Sequence, residues 1–491
     1  MASKLPDLKS LGGSGVEDGG GKRWPGFVQF FFVLSVVLCV LLYAPRFFVL
    51  TSTYGLDFFV QPPPKTSSRV VGQDGGNAGD VVVLDNQLHS PCSSLSGDTI
   101  CCDRSDFNTD VCFMAGDVRT DPASLSLLLF PKQPPAPNAT VEERIRPYTR
   151  KWETFIMGKI EEVLLRMAPP EEEPGHRCDV RHDAPLLVMT AGGYTGNLFH
   201  AFSDGFVPAW LTVQHLRRRV VLGVLSYNPW WAGTYSEIIS GLTDYHVVDL
   251  LHDKRTHCFP GAIVGTRFHG ILAVEPKRLR DNKTIVDFHD LLADVYEAGE
   301  QQQQPATAAW RPRLGIVSRK GTRVIENQAA VAQLGRSLGF DVDILETANG
   351  LPLSASYASV SACDVLVGVH GADLTKLLFL RPGAALVQIA PLGVPPIARG
   401  CYAAASARMG LHYEQYDAEG HESSLSRKYG LRDVVVSDPE AAKRDKGWGF
   451  VARVYLGGQN VTLDLARFGE TLYRMHARAV RIRSLQATMG P

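Results

Sequence analysis

A chain of 491 residues has room for two ordinary domains, each with its own core. Its 50 Lys+Arg offset 51 Asp+Glu, which speaks against a polyanionic partner such as nucleic acid. A hydrophobic share of 45% describes a globular protein and excludes a polytopic membrane protein. Residues 26–50 stand apart as a nearly unbroken apolar run, with Lys22, Arg23 and Trp24 just before it. The run is long for a cleaved signal peptide and no clean small-x-small site follows. A signal anchor is therefore expected: residues 1–25 as a cytosolic tail, 26–50 as one transmembrane helix, and the rest in a lumen. Residues 51–91 carry Pro62, Pro63, Pro64 and clustered glycines, the composition of a flexible stem.

Cysteine usage agrees with a lumen. Apart from Cys39 in the span, Cys92, Cys101, Cys102, Cys112, Cys178, Cys258, Cys363 and Cys401 form an even set free to pair. Eight cysteines allow 105 connectivities, so the pairing stays open. The irregular spacing from Cys92 to Cys112 lacks a repeated C-x-x-C, and no metal site is expected. Asn138, Asn282 and Asn460 each open a glycosylation triplet.

Residues 92–120 read as a disulfide-tied cap, and 141–167 as a surface helix of mixed charge. A first α/β domain, 92–298, has strands at 185–190, 220–226, 246–250 and 262–265. After the first of these comes a glycine-rich turn leading to His200 and Asp204, four apart and thus on one helix face. A carboxylate beside an imidazole can orient it as a general base. Arg267 and His269 alternate after the last strand of this half, so both can point to one side. Residues 281–298 read as a helix capped by Asp281, and 299–309 as a linker.

The second α/β domain, 310–491, opens with a strand at 314–317 that delivers Ser318, Arg319 and Arg323 into a loop. Guanidinium groups there suit bidentate phosphate recognition. Residues 327–338 read as a helix and 342–345 as a strand. The next strand breaks at Gly368, His370 and Gly371, and a helical run follows whose free N–H groups favour an anion. In an open parallel sheet, ligands sit at such carboxyl ends. An edge strand at 412–416 and an amphipathic helix at 461–482 close the chain. Asp341 and Asp343 begin a strand and are read as structural.

Five groups of residues, taken in order, resemble plant members of glycosyltransferase family 61. They are Cys101-Cys102-Asp103-Arg104-Ser105 with Gly116-Asp117-Val118-Arg119; Gly196-Asn197-Leu198-Phe199-His200 with Asp204; Arg267-Phe268-His269-Gly270; Ser318 and Arg319 with Arg323 and Asn327; and Gly368-Val369-His370-Gly371-Ala372-Asp373. Asp373 stands where family patterns often have Gly or Ala. The resemblance implies a GT-B-like architecture, two Rossmann-like domains facing across a cleft, in a Golgi type II membrane enzyme. It implies inverting transfer of a pentose, arabinofuranose or xylose, from a UDP-sugar to xylan, without a metal or other cofactor. His200, oriented by Asp204, would be the base. Ser318, Arg319, Arg323, Gly368, His370 and Gly371 would hold UDP, while Asn197, Arg267 and His269 would line the substrate side. A β-1,2-xylosyl- or N-acetylglucosaminyltransferase acting on glycoprotein glycans stays open as an alternative. So does a luminal glycan-binding protein without catalysis. A glycoside hydrolase needs two carboxylates about the scissile bond, and no such pair stands out.

Overall fold

The computed structural model describes residues 83–491 except 94, 96, 134–140, 298–309, 347–351, 445, 490 and 491. The expected anchor, most of the stem, the linker and Asn138 lie outside the described residues. Among those described, no helix is long and apolar enough to cross a membrane.

The first sheet takes strands β1 (Thr99–Asp103), β2 (Val111–Asp121), β3 (Ser126–Phe130), β4 (Glu142–Ile145), β5 (Val163–Met167), β6 (Val180–Arg181), β7 (Leu186–Thr190), β8 (Val221–Leu225), β9 (Val248–Asp249) and β10 (His257–Val264). Its order is β4-β5-β3-β2-β10-β7-β8-β9, with β1 paired to β2 and β6 to β10. The quartet β10-β7-β8-β9 is parallel, and β7 and β8 are buried along their whole length, as their unbroken apolar runs require. Beyond β10 the sheet turns antiparallel at β2.

Two expectations change here. Residues 141–167 are mostly not a surface helix: they supply β4, β5 and one short helix, Thr154–Met157. In β4 three charged residues precede the buried Ile145 at the sheet edge, a stretch too short to separate strand from helix. The cysteine-rich segment is a hairpin, β1–β2, whose second strand runs inside the sheet. Disulfides join Cys92 to Cys101, Cys102 to Cys112 and Cys178 to Cys258, while Cys363 and Cys401 are free thiols. Six of the eight cysteines left open by the sequence are thus paired.

The second sheet takes β11 (Arg313–Ser318), β12 (Asp341–Glu346), β13 (Val365–Val369), β14 (Ala385–Ala390) and β15 (His412–Asp417). All its pairs are parallel, in the order β12-β11-β13-β14-β15. The expected edge strand is β15. The closing helix, Leu465–Met489, packs on the Gln328–Ser337 helix.

Both sheets belong to one unit, Asp80–Pro491, and share a core. Phe202 meets Phe379 edge-on at 6.2 Å, and Phe379 meets Tyr296 at 5.8 Å and Tyr357 at 5.5 Å. Tyr296 belongs to the Ile285–Glu297 helix, whose first-turn N–H of Val286 is accepted by Thr284. Asp281 is not its cap. That carboxylate lies four residues earlier and accepts from the side chains of Asn86 and Gln214.

Candidate active site

In the parallel quartet the strand order reverses between β7 and β10; in the second sheet it reverses between β11 and β13. Adjacent strands whose crossovers leave in opposite directions open a crevice at their carboxyl ends. Those ends carry most of the polar clusters singled out from the sequence.

After β7 the chain turns through Gly193 and enters one helical run: Leu198–His200, a π-helical segment Ala201–Phe206, and Val207–Val213. Asn197 caps it, its side chain accepting the N–H of Phe199 at 3.0 Å. Pro208 has no N–H to give Asp204, four residues back, and its ring crowds that carbonyl. The freed Asp204 carbonyl accepts the Thr149 hydroxyl at 3.2 Å instead. A widened turn at such a point is a frequent mark of function.

The Asp204 carboxylate is almost fully buried and meets His200 Nδ1 at 2.7 Å, Arg150 Nε at 2.8 Å and the Tyr148 hydroxyl at 3.3 Å. Burial pushes this carboxyl up, but the hydrogen bond from His200 and the charge of Arg150 outweigh it and leave it below the usual range. The Tyr148 hydroxyl is pushed up, by burial first and by Asp204 next. With Nδ1 engaged by Asp204, His200 keeps Nε2 for a substrate proton. Gly193 permits the close approach of Tyr148: at φ +66, a Cβ there would stand 2.6 Å from the Tyr148 ring. Arg150 and Tyr148 escaped the sequence reading because they fall within the stretch read as a surface helix. Only the fold brings them to Asp204.

The second crevice is cationic. Arg319, past the end of β11, pairs with Asp373 at 2.7 Å. Arg323, with φ +57, donates from Nη1 to the His370 carbonyl at 2.9 Å. Its Nε is buried without a hydrogen-bond partner. Burial and the neighbouring charge of Arg319 push the Arg323 guanidinium down to about 10, so it remains charged at neutral pH. Two guanidinium groups beside one carboxylate leave an excess positive charge that an anion would offset. Gly371 lets them close in: a Cβ there would lie 2.6 Å from Arg319 Nη1. Ser318 ends β11 beside them. Gly368 serves packing, since a Cβ would come within 2.7 Å of Leu374 Cδ2. The segment Ala372–Phe379 that follows is a 3-10 helix.

His370 lies at the same turn. Its ring is buried and Nδ1 accepts from Gln388 at 2.8 Å, which leaves the ring proton on Nε2, while its carbonyl holds Arg323. Burial, then the charges of Arg323 and Arg319, push it down to about 4. It is neutral in the folded protein.

The two crevices adjoin. The Leu198–His200 turn packs on the Ala372–Phe379 helix. Phe199 meets the Tyr402 ring edge-on at 5.7 Å, and the Tyr402 hydroxyl donates to the Gly371 carbonyl at 2.8 Å.

Arg267 and His269 do not join them. Arg267 is buried, pairing with Asp85 and with Asp103 at 2.5 Å each and donating to Ser90 at 2.8 Å. His269 takes the Glu275 N–H at 3.0 Å on Nδ1 and meets Gln87 at 3.1 Å through Nε2. Both fasten the segment entering the fold, so the ligand-facing role expected of them is overturned. A cation and an imidazole at a strand end have the same sequence signature whether they meet a ligand or a distant segment. Asn327 is likewise structural, exchanging two hydrogen bonds with the Leu463 backbone. Asn282 is exposed, and half-buried Asn460 accepts the Val324 N–H at 3.1 Å through its side-chain oxygen.

Comparison with known proteins bears on this geometry. The profile of glycosyltransferase 61 matches residues 198–387, which run from the His200 turn into β14. A xylan glycosyltransferase of Arabidopsis thaliana is 37% identical over 413 residues, covering 81% of this chain and 83% of that protein. This chain belongs to the glycosyltransferase 61 family. A beta-1,2-xylosyltransferase of Oryza sativa subsp. japonica is 34% identical over 390 residues, covering 76% of this chain and 83% of the relative. An alpha-1,3-arabinosyltransferase of the same organism is 32% identical over 373 residues, covering 75% of this chain and 63% of the relative. The family 61 protein is therefore a glycosyltransferase, acting with a sugar donor and a glycan acceptor.

Proposed function

We propose that this family 61 glycosyltransferase moves a pentose, arabinofuranose or xylose, from a UDP-sugar to a hydroxyl of xylan, with inversion at the anomeric carbon. The related xylan transferases support the substrate class. The site observation that carries the reading is the His200–Asp204 pair packed against the turn that holds Arg319 and Arg323. The two sheets stand as Rossmann-like lobes in a GT-B-like arrangement. Residues 26–50 anchor the enzyme as a type II protein of the Golgi membrane, its catalytic body in the lumen.

His200 Nε2 takes the proton of the acceptor hydroxyl while that oxygen bonds to the anomeric carbon from the face opposite UDP. The bond to the diphosphate oxygen breaks and UDP leaves. Asp204 holds the Nδ1 proton and stabilises the imidazolium that forms. Arg319, Arg323 and the N–H groups opening the Ala372–Phe379 helix neutralise the leaving diphosphate in place of a divalent ion.

The test offers the purified chain UDP-arabinofuranose, UDP-xylose or UDP-N-acetylglucosamine with xylo-oligosaccharides and resolves the products by mass. One added pentose is expected. His200→Ala is expected to lower transfer by about 10²–10⁴-fold while UDP still binds. Unchanged transfer would remove His200 as the base, and transfer of N-acetylglucosamine alone would remove the pentose reading.

A further inference from the structure

Phe107 and Trp152 are large aromatic side chains left 71% and 49% exposed. Their rings are parallel within 9° and their centroids lie 6.4 Å apart, so they present a stepped apolar surface. Burying such rings would stabilise the fold, and exposed apolar surface of this kind marks binding. The loops that carry them are clipped together. The Lys151 N–H donates to the Asn108 carbonyl at 2.8 Å, and Lys151 Nζ pairs with Asp110 at 2.6 Å. Phe107 itself lies in the loop closed by the Cys102–Cys112 disulfide. The surface is built, not a fraying end.

It is also continuous with the candidate base. The Arg150 guanidinium lies 5.6 Å from the Trp152 ring and 5.4 Å from the Tyr194 ring, and Tyr194 tilts over His200 at 4.9 Å. An aromatic path thus leads from open surface to the point where an acceptor hydroxyl would lose its proton. Pyranose rings have apolar C–H faces and hydroxyl rims, and those C–H dipoles suit the negative face of an aromatic ring. A xylopyranose backbone, which has no exocyclic hydroxymethyl groups, is flat enough to lie across both rings.

We propose that Phe107 and Trp152 form a stacking platform for the extended acceptor, holding backbone sugars beyond the one that enters the site. This rests on the xylan reading above and adds the residues that select a long chain.

Calorimetry on the full chain with xylohexaose, cellohexaose and mannohexaose tests it. Xylohexaose is expected to bind, and Trp152→Ala or Phe107→Ala to weaken it about tenfold each. Trp152→Tyr, which keeps a flat ring, is expected to retain most of the affinity. The rise in KM for the alanine variants is expected to be larger with xylohexaose than with xylobiose. UDP titration reports that each variant is folded. Binding of another hexaose in place of xylohexaose, lost in the alanine variants, would remove xylan as the acceptor and keep the platform. The platform is overturned if no hexaose binds the unaltered chain, or if the alanine variants bind as tightly as it does.

Discussion

Arg267 and Arg319 both follow a strand of a parallel pairing, and both read from the sequence as candidates for an anionic ligand. What separates them is the partner. Arg267 is held at both terminal nitrogens by Asp85, Asp103 and Ser90 deep in the fold, whereas Arg319 shares one carboxylate with the charge of Arg323 nearby. Removing one member of a buried ion pair strands the others. Arg267→Ala is therefore expected to cost about 3–5 kcal/mol of stability, read by urea unfolding. Equal stability would return Arg267 to the list of ligand-facing groups. His200 and Asp204 were legible because four-residue spacing on a helix is a local fact. Arg150 was not, because its place beside Asp204 depends on a loop that reaches the helix only in the finished fold.

At the scale of elements, the second sheet is the more legible in the sequence. Unbroken apolar runs separated by glycine or proline turns place β11, β13 and β14 near their observed positions, since strands buried on both faces need such runs, and β15 follows as a half-wet edge strand. The first half was legible only in its parallel quartet. In the flank beyond β10, β4 and β5 are short, half-wet strands whose pattern over four or five residues does not separate strand from helix. The turn after β13 supplies a sharper test. A methyl group at Gly371 would collide with the far end of the Arg319 side chain, which can swing away at little cost to the fold. Gly371→Ala is thus expected to change stability by less than about 1 kcal/mol while weakening UDP at least tenfold. Calorimetry with UDP and urea unfolding on the same sample check both halves. Unaltered UDP affinity would mean that the Arg319–Asp373 geometry does not serve the donor.

For the molecule as a whole, acid is the predicted weakness. Folded His370 is held down at about 4 by burial and two guanidinium groups, against about 6.5 for a free imidazole. Between those values the unfolded chain binds a proton that the folded chain refuses, so stability falls as pH drops through that window. His269, pushed down to about 3 by burial and then by Arg278 and Arg267, acts in the same sense. His370 alone is expected to account for about 3 kcal/mol between pH 6.5 and 4. Urea unfolding across that range, with His370→Gln as the comparison, checks the sign. A slope equal in both proteins would exclude His370 as its source.

The aromatic seam formed by Phe202, Phe379, Tyr296 and Tyr357 limits how this enzyme can move. A clamshell that swings wide to admit its donor would have to tear that seam open and wet it at every turnover. Entry and exit must then run sideways through the loops past the strand ends. Turnover would be timed by small loop shifts rather than by a hinge.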